Sequence, residues 1–320
     1  MSQNTIGYAN LQKKNYINLA RDLSWMNSKN HEHTDRDGHV LGYIVNIKLH
    51  SSTSSSVRFD VAPNTWKMRN AFRKWHAYRQ LMFSDAGVTD SEQGRYGKTI
   101  RPYLDFNMKA GNILDPIGWQ TDPALPYYQT QEWSYTQIAA APGFDAAAVG
   151  TEGAAAVDVY ELHICGENQD ETTTTLGTEY YSSVGMIHSY NQDRQEVVTP
   201  TIDSQTIEGH NNPLALLRQA GAVSGGEVMD IVQDQELEAP PYDITDAVWS
   251  IYPTLADVMQ INPGFGGSNT DGTLKPLIPV LRQTQMFVPA GLLFIGCEFD
   301  LSGSTLLIDV LDIVRCKDMA

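Results

Sequence analysis

Short segments of β character are the feature that most constrains the fold of this 320-residue chain. They are rich in β-branched and aromatic residues, and Gly, Pro, Ser or Thr clusters separate them. Such a pattern predicts a mainly β protein, either a sandwich or a barrel. The predicted strands cover residues 39–50, 57–61, 99–108, 132–138, 157–165, 183–190, 247–252, 280–288, 292–299 and 306–314.

The segment 64–83 is the clearest predicted helix, because Asn64 supplies a capping oxygen and apolar residues then recur at helical spacing. Cations alternate with aromatic residues along it, which allows two interpretations. The helix binds nucleic acid through phosphate contacts and stacking, or it packs on a sheet and turns its cations to an acidic neighbouring subunit. We favour the subunit contact. The residues concerned are Trp66, Lys67, Arg69, Phe72, Arg73, Lys74, Trp75, Tyr78 and Arg79.

Charge is distributed unevenly along the chain. Residues 1–110 hold 16 of the 22 Lys and Arg and only 9 of the 38 acids, which gives +7 there and −23 over residues 111–320. The first third therefore either faces anionic phosphate or lipid headgroups, or it is neutralised by the acidic remainder of the same chain. Neither terminus carries a block of basic residues, so we expect no sequence-specific nucleic acid partner.

Residues 1–38 are expected to form a polar, irregular N-terminal arm with one short amphipathic stretch, Tyr16 to Trp25. No apolar run approaches the ~20 residues of a membrane-spanning helix, and no apolar segment follows the first charges. The sequence therefore predicts a soluble protein that is synthesised in the cytoplasm. Two short helices are expected near residues 212–235, at 212–220 and 226–234.

Metal sites and phosphate loops find little support in the sequence. The densest group of ligand types is His31, Glu32, His33, Asp35, Asp37 and His39, which we interpret as a solvated loop. Gly97-Lys98-Thr99 ends like a phosphate loop, but Glu92 stands where the motif needs its first Gly. We predict no metal and no cofactor.

Nucleophiles and acids give the same result. The cysteines Cys165, Cys297 and Cys316 lack a paired spacing and are interpreted as buried thiols. Asp230, Asp234, Glu236 and Glu238 form an acidic cluster, which is typical of a solvated face; a hydrolase using it remains the enzymatic alternative. We predict no catalytic residues, no cofactor-binding residues and no enzymatic activity.

Eight short motifs follow one another over roughly residues 60–300. They are PNTWKMRNAF at 63–72, DAGV at 85–88, GRYGKTIR at 94–101, EWSYT at 132–136, DVYELH at 158–163, VGMIHSYN at 184–191, PYD at 241–243 and VPAGLL at 288–293. In this order they resemble capsid proteins of circular single-stranded DNA viruses, and most closely those of lipid-containing single-stranded DNA phages of the FLiP type.

The resemblance implies a double jelly roll, with two antiparallel β-barrels. Residues 39–195 would form the first barrel with the inserted helix 64–83, and residues 196–320 the second with its short helices. Because ten to twelve strands fall short of the sixteen of two rolls, a single jelly roll with helical insertions stays open.

The implied function is that of a major capsid protein in the virion. It would self-assemble into homotrimeric, pseudo-hexagonal capsomers of an icosahedral shell, with other virion proteins and an inner lipid membrane as further partners. The alternative is a virion spike or a carbohydrate-binding β-sandwich, for which Trp119, Tyr127 and Tyr128 are the candidate contact residues.

Overall fold

The fold was analysed in a computed structural model that describes residues 4–51, 55–89, 91–117, 133–139, 159–172, 179–195, 258–261 and 280–316. These ranges form mainly β structure, with several antiparallel strand pairings and a few helices.

The first sheet has four antiparallel strands that come from both ends of the chain. Its order is β1 (Thr5–Leu11), β13 (Leu301–Arg315), β3 (Leu41–Ser51) and β11 (Val280–Pro289). Alternate residues along β3 are buried, as expected for a strand that covers a core with one face.

The second sheet also combines early and late segments. Its order is β10 (Val258–Ile261), β4 (Ser55–Val61), β12 (Leu292–Cys297) and β2 (Lys14–Asn18), again with antiparallel pairing throughout. Between the two sheets lies a continuous apolar core, to which Tyr8, Tyr43 and Phe59 contribute fully buried rings. Burial of each large apolar side chain contributes about 1.5–3 kcal/mol.

A third sheet is inserted between β4 and β10, and it mixes parallel and antiparallel pairs. β5 (Tyr103–Asp105), β7 (Val159–Cys165) and β9 (Glu179–Gly185) run parallel. β6 (Gln137–Ala139) and β8 (Gln169–Thr172) pair antiparallel with β7 and β9.

Four α-helices accompany the sheets in the described part of the chain: α1 (Leu19–Asn27), α2 (Trp66–Asp85), α3 (Phe106–Ala110) and α4 (Met186–Gln195). Side-chain oxygens of Asn18, Thr65 and Asp105 accept hydrogen bonds from the first turns of α1, α2 and α3.

A second apolar core joins α2 and the third sheet to the second sheet. Leu293 and Ile295 of β12 lie in the first core, whereas the alternate residues Leu292 and Phe294 lie in the second. Since successive strand residues point to opposite faces, the inserted region covers the outer face of the second sheet.

Residues 112–117 run past the edges of both sandwich sheets. The Tyr16 amide of β2 donates to the Asn112 carbonyl, and the Leu114 amide donates to the Tyr16 carbonyl, both at 2.8 Å. The Ile117 amide then donates to the Gly7 carbonyl of β1 at 2.7 Å. Edge strands with open hydrogen-bonding groups favour aggregation, so this segment protects the exposed side of β1 and β2.

The N-terminal region differs from the predicted irregular arm. Residues 1–38 contain β1, β2 and α1, and Ile6, Tyr8 and Ile17 are fully buried. The prediction failed because these strands are short and polar on one side, and their pairing partners lie almost 300 residues later in the chain.

The proposed division after residue 195 also differs from the observed pairing. It separates β3 from β11 and β13, which are its two neighbours in the first sheet. Three predicted strands are only partly strands. The segment 99–108 contains β5 followed by α3, 183–190 contains the end of β9 and the start of α4, and within 132–138 only residues 137–138 belong to β6. The predicted elements at 212–220, 226–234 and 247–252 lie outside the described residues.

Candidate functional site

The group of potential metal ligands at residues 31–39, which the sequence predicts to be a solvated loop, is partly buried and is dispersed by the fold. Glu32 pairs with Arg101, His33 is fully buried, and Asp35 forms an ion pair with Arg315 at 2.6 Å. Within the described ranges no three His, Cys, Asp or Glu residues are placed to hold a metal ion.

Glu32 and Arg101 form a buried ion pair that is held by two hydrogen bonds. Arg101 Nε donates to Glu32 Oε2 at 2.8 Å, and Nη2 donates to Oε1 at 2.6 Å. The guanidinium lies 3.9 Å from the ring centre of Trp133. This arrangement ties the N-terminal region to residues 99–103 and 133–136 of the insertion.

His33 belongs to the same polar junction. Its Nδ1 donates to the Ala290 carbonyl at 2.5 Å, and Asn18 Nδ2 lies 3.5 Å from its Nε2. Burial lowers the pKa of His33 to about 4, because a charged imidazolium loses its hydration there. The imidazole is therefore neutral at physiological pH and its role is to join α1 to the β11–β12 turn.

A cavity of about 270 Å³ lies beside this junction. Its walls combine polar groups with the side chains of Leu41, Tyr43 and Ile313. The two acids that line it, Glu32 and Asp35, are engaged with Arg101 and Arg315.

Helix α2 buries the aromatic residues that the sequence placed among its cations. Trp75 and Phe72 are fully buried, and Tyr78 is 8 % exposed. Trp66 contacts the ring of Tyr190 edge-on at 6.2 Å. The rings of Phe72, Trp75 and Tyr78 are therefore part of the second core and not a platform for stacking nucleic acid bases, whereas Trp66 is half-buried.

The cations of α2 are held mainly inside the subunit. Lys74 pairs with the buried Asp193 of α4, and Arg79 donates to the Thr99 carbonyl. Arg69 donates to Asn64, and Lys67 is only 3 % exposed, whereas Arg73 is exposed. The helix thus connects α4 with residues 97–99. Neither of its two predicted roles, nucleic acid binding or contact with a neighbouring subunit, accounts for most of its charges.

Ion pairs connect the cationic first third to the acidic remainder of the chain. This supports the interpretation that the two parts neutralise each other. The connecting pairs are Arg21 with Asp115, Lys48 with Asp309, Lys74 with Asp193 and Lys109 with Glu161.

A second buried ionic group secures the segment at the sheet edges. Arg21 Nη2 donates to the Leu114 carbonyl at 2.5 Å, and its Nε donates to Asp22 at 2.7 Å. Tyr8 donates to the other Asp22 oxygen at 2.5 Å. Complete burial raises the pKa of Asp22 to about 6, since desolvation outweighs the stabilising contacts from Arg21 and Tyr8.

His163 and Ser183 form a buried pair across β7 and β9. Ser183 Oγ donates to His163 Nδ1 at 2.7 Å, while Nε2 donates to the Glu167 carbonyl at 3.0 Å. Both side chains are fully buried, and burial lowers the pKa of His163 to about 4. The pair resembles a nucleophile and base in composition, but burial leaves no access for a substrate.

No protein-family model, curated protein or solved structure matches this chain.

The remaining predicted sites have different outcomes. The three cysteines are free and buried, as expected, and burial raises the pKa of the Cys297 and Cys316 thiols to about 11. Gly97 and Lys98 lie in one 3-10 turn, Arg95–Lys98.

None of the helices in the described ranges combines the length and apolar character needed to cross a bilayer. The acidic cluster 230–238 and the aromatics Trp119, Tyr127 and Tyr128 lie outside the described residues.

Sequence reasoning missed the outer face of the first sheet. Leu307 and Leu311 of β13 are 38 % and 55 % exposed, although their neighbours Leu306, Ile308 and Val310 fill the core. A signal was present, because apolar residues at both even and odd positions of a strand indicate contacts on both faces.

Proposed function

We propose that this protein is a structural, self-assembling subunit whose core is a single jelly roll with a large insertion. The strand order carries the proposal. When the eight sandwich strands are numbered in chain order, the two sheets have the orders 1-8-3-6 and 5-4-7-2. Two successive Greek keys, each returning a strand beside an earlier one, generate these orders in an eight-stranded jelly roll.

A single jelly roll with insertions is the alternative that the sequence left open. It replaces the double jelly roll as our preferred interpretation. The first four and last four sandwich strands build one pair of sheets, so a second roll would have to lie in the insertion between β4 and β10. The described insertion contains parallel pairs, β5 with β7 and β7 with β9. Jelly rolls are antiparallel, and this difference favours an α/β insertion.

The filled interior supports a structural role over a ligand-binding one. Jelly-roll architecture serves capsid proteins, lectins and cupins. Here the space between the sheets is occupied by large side chains, including Tyr8, Tyr43, Phe59, Ile47 and Leu49, all fully buried. Together with the ordered capsid-like motifs, this favours a capsid subunit.

The assembly that we propose is a virion shell of repeated subunits. Copies of the chain form homotrimeric capsomers, which tile through weaker contacts; other virion proteins and an inner lipid membrane are the further partners. The chain as a whole carries −16, and ion pairs inside the subunit neutralise many of its cations. Contacts with membrane or genome would therefore depend on the cations that are exposed in the described ranges, such as Lys13, Lys14, Lys29 and Arg73.

Sedimentation velocity of the purified protein over a wide concentration range, followed by negative-stain microscopy, tests this function. We expect discrete oligomers with a defined sedimentation coefficient and uniform particles that show capsomers. A protein that stays monomeric at the highest concentration would overturn the proposal. Irregular aggregates without a defined size would count as misfolding and would also contradict it.

A further inference from the structure

The cavity beside the Glu32–Arg101 pair is formed where several parts of the chain meet. Its walls come from residues 30–36 after α1, from the start of β3, from Thr99 and from Ile313 of β13. Its volume of about 270 Å³ corresponds to about nine water molecules at ~30 Å³ each. The space therefore suits a small ligand of fewer than about ten heavy atoms.

The two acids on the walls are already compensated within the chain. Both carboxylate oxygens of Glu32 accept hydrogen bonds from Arg101, at 2.8 and 2.6 Å. One oxygen of Asp35 pairs with Arg315 at 2.6 Å, and the other accepts from two backbone amides. These acids therefore offer no unpaired negative charge that would attract a cation into the cavity.

Cations are in excess around the same cavity. Arg36 lies on the wall, is exposed, and forms no ion pair with any residue that the structure describes. Arg79 donates to the Thr99 carbonyl and also pairs with no acid in the described ranges. Burial, and then the charge of Arg101, lower the pKa of Arg79, as expected where cations lie close together.

The balance of these groups leaves one positive charge. Four guanidinium groups stand against three carboxylates in this part of the described structure. They are those of Arg36, Arg79, Arg101 and Arg315, and those of Glu32, Asp35 and Asp37.

Thr99 adds a buried hydroxyl group without a partner. The residue lines the cavity and is 3 % exposed, and none of the described atoms forms a hydrogen bond with its Oγ1. A buried polar group that makes no hydrogen bond retains the cost of losing its hydration. A ligand that accepts a hydrogen bond from this hydroxyl would remove that cost.

The rest of the wall is apolar. Leu41, Tyr43 and Ile313 contribute it, and Leu41 and Ile313 are half-buried against the first core. A short hydrocarbon chain in the cavity would cover these two side chains and remove apolar surface from water.

We propose that this cavity binds a small aliphatic monocarboxylate. A single excess positive charge matches one carboxylate better than a phosphate group, which carries about −1.5 to −2 at pH 7. Arg36 pairs with the carboxylate, the Thr99 hydroxyl donates to it, and the hydrocarbon end lies against Leu41 and Ile313. The site does not depend on self-assembly, so it stands or falls separately from the proposed function.

Isothermal titration calorimetry of the full chain with sodium butanoate, in a chloride buffer, tests the ligand class. We expect saturable binding of one butanoate per chain. Butanamide, which has a similar shape without the charge, and inorganic phosphate, which lacks the hydrocarbon, should each bind about tenfold more weakly. No saturable binding of butanoate, or equally tight binding of butanamide or phosphate, would overturn the proposal.

Two variants test the site and separate binding from folding. Arg36→Gln removes an exposed cation and should weaken butanoate binding about tenfold. Arg73→Gln, which removes an exposed cation of α2, is the matched control and should bind like the wild type. Wild-type affinity in Arg36→Gln, with the variant folded by circular dichroism, would overturn the proposed site.

Thr99→Val removes the hydroxyl and keeps nearly the same volume. Because the hydroxyl has no partner, we expect the ligand-free variant to melt no lower than the wild type, yet to bind butanoate about fivefold more weakly. Wild-type affinity in Thr99→Val would overturn the proposed site. A lower melting temperature of the ligand-free variant would also overturn it, since the hydroxyl would then be bonded within the protein.

Discussion

Arg101 and Glu32 meet side by side in the interior, with two hydrogen bonds of 2.8 and 2.6 Å and side-chain exposures of 8 % and 4 %. Removal of one partner from such a pair leaves a buried charge without compensation. We expect Arg101→Met to lower the free energy of unfolding by about 3–5 kcal/mol.

Urea unfolding of Arg101→Met and of the double variant Arg101→Met/Glu32→Met measures this effect. The double variant should recover part of the loss, since it removes both charges. Arg73→Met is the control for loss of an exposed cation. Exposed ion pairs contribute at most about 1 kcal/mol to stability. If Arg101→Met lowered the free energy of unfolding by less than that, the structural role of the buried ion pair would be contradicted.

The turn between β11 and β12 depends on Gly291. Ala290 and Gly291 both have positive φ, at 55° and 67°, and a Cβ on Gly291 would lie 2.7 Å from the Tyr43 ring. Gly291→Ala should therefore lower the free energy of unfolding by about 1–3 kcal/mol. Gly94→Ala is the matched control, because no atom lies within 4 Å of its added Cβ and its φ is −63°. Equal stability of the two variants in thermal unfolding would refute this account of the turn.

His33 makes stability depend on acid. Its pKa is about 4 in the fold against 6.5 in an unfolded chain, so the unfolded state binds the proton first. The contribution of His33 to the free energy of unfolding is fully present above pH 6.5. It is lost as the pH falls through 4, and the loss is about 3 kcal/mol in total. His33→Gln should flatten this part of the unfolding profile, whereas the exposed His50→Gln should not. A profile of His33→Gln that is as steep as that of the wild type would argue against burial of a neutral His33.

Asp22 changes the free energy of unfolding with pH in the opposite direction to His33. Its raised pKa of about 6 means that the folded protein holds this proton more tightly than the unfolded chain, whose value is 3.8. The contribution of Asp22 to the free energy of unfolding is therefore greatest below pH 3.8 and declines as the pH rises through 6. Carboxyl titration by NMR should show a carboxyl group with a midpoint near 6 that disappears in Asp22→Asn. Absence of such a titration would contradict the burial of Asp22 beside Tyr8.

Lys74 tests the structural role assigned to the cations of α2. Its partner Asp193 is almost fully buried, so Lys74→Met should reduce stability by about 1–3 kcal/mol, more than Arg73→Met. Binding of a fluorescent single-stranded DNA should change little in Lys74→Met. A variant that keeps its melting temperature but loses DNA binding would favour the nucleic acid interpretation of the helix.

Local patterns in the sequence predicted the long elements well. β3, β11 and β12 begin within two residues of their predicted starts, and α2 covers Trp66–Asp85 against a predicted 64–83. These segments carry enough β-branched or helically spaced residues for local preference to decide their structure. The switch from β9 to α4 after Gly185 was missed, because Val184, Met186 and Ile187 form an apolar group too short to distinguish a strand from a helix.

Long-range relationships could not be inferred in this way. Thr5 and Asp309 are 304 residues apart, and Arg101 and Glu32 are 69 apart, so no local sequence pattern links these side chains. The N-terminal strands were missed for the same reason. β1 contains polar and small residues that become a strand only when β13 supplies its hydrogen bonds.

Electron cryo-microscopy of the purified, assembled protein tests the central proposal most directly, since it shows both the particle symmetry and the strand connections. The account predicts capsomers of repeated subunits, each with sheets in the order 1-8-3-6 and 5-4-7-2 and the insertion on the second sheet. A monodisperse monomer, or subunits whose first and last strands lie in separate barrels, would contradict it.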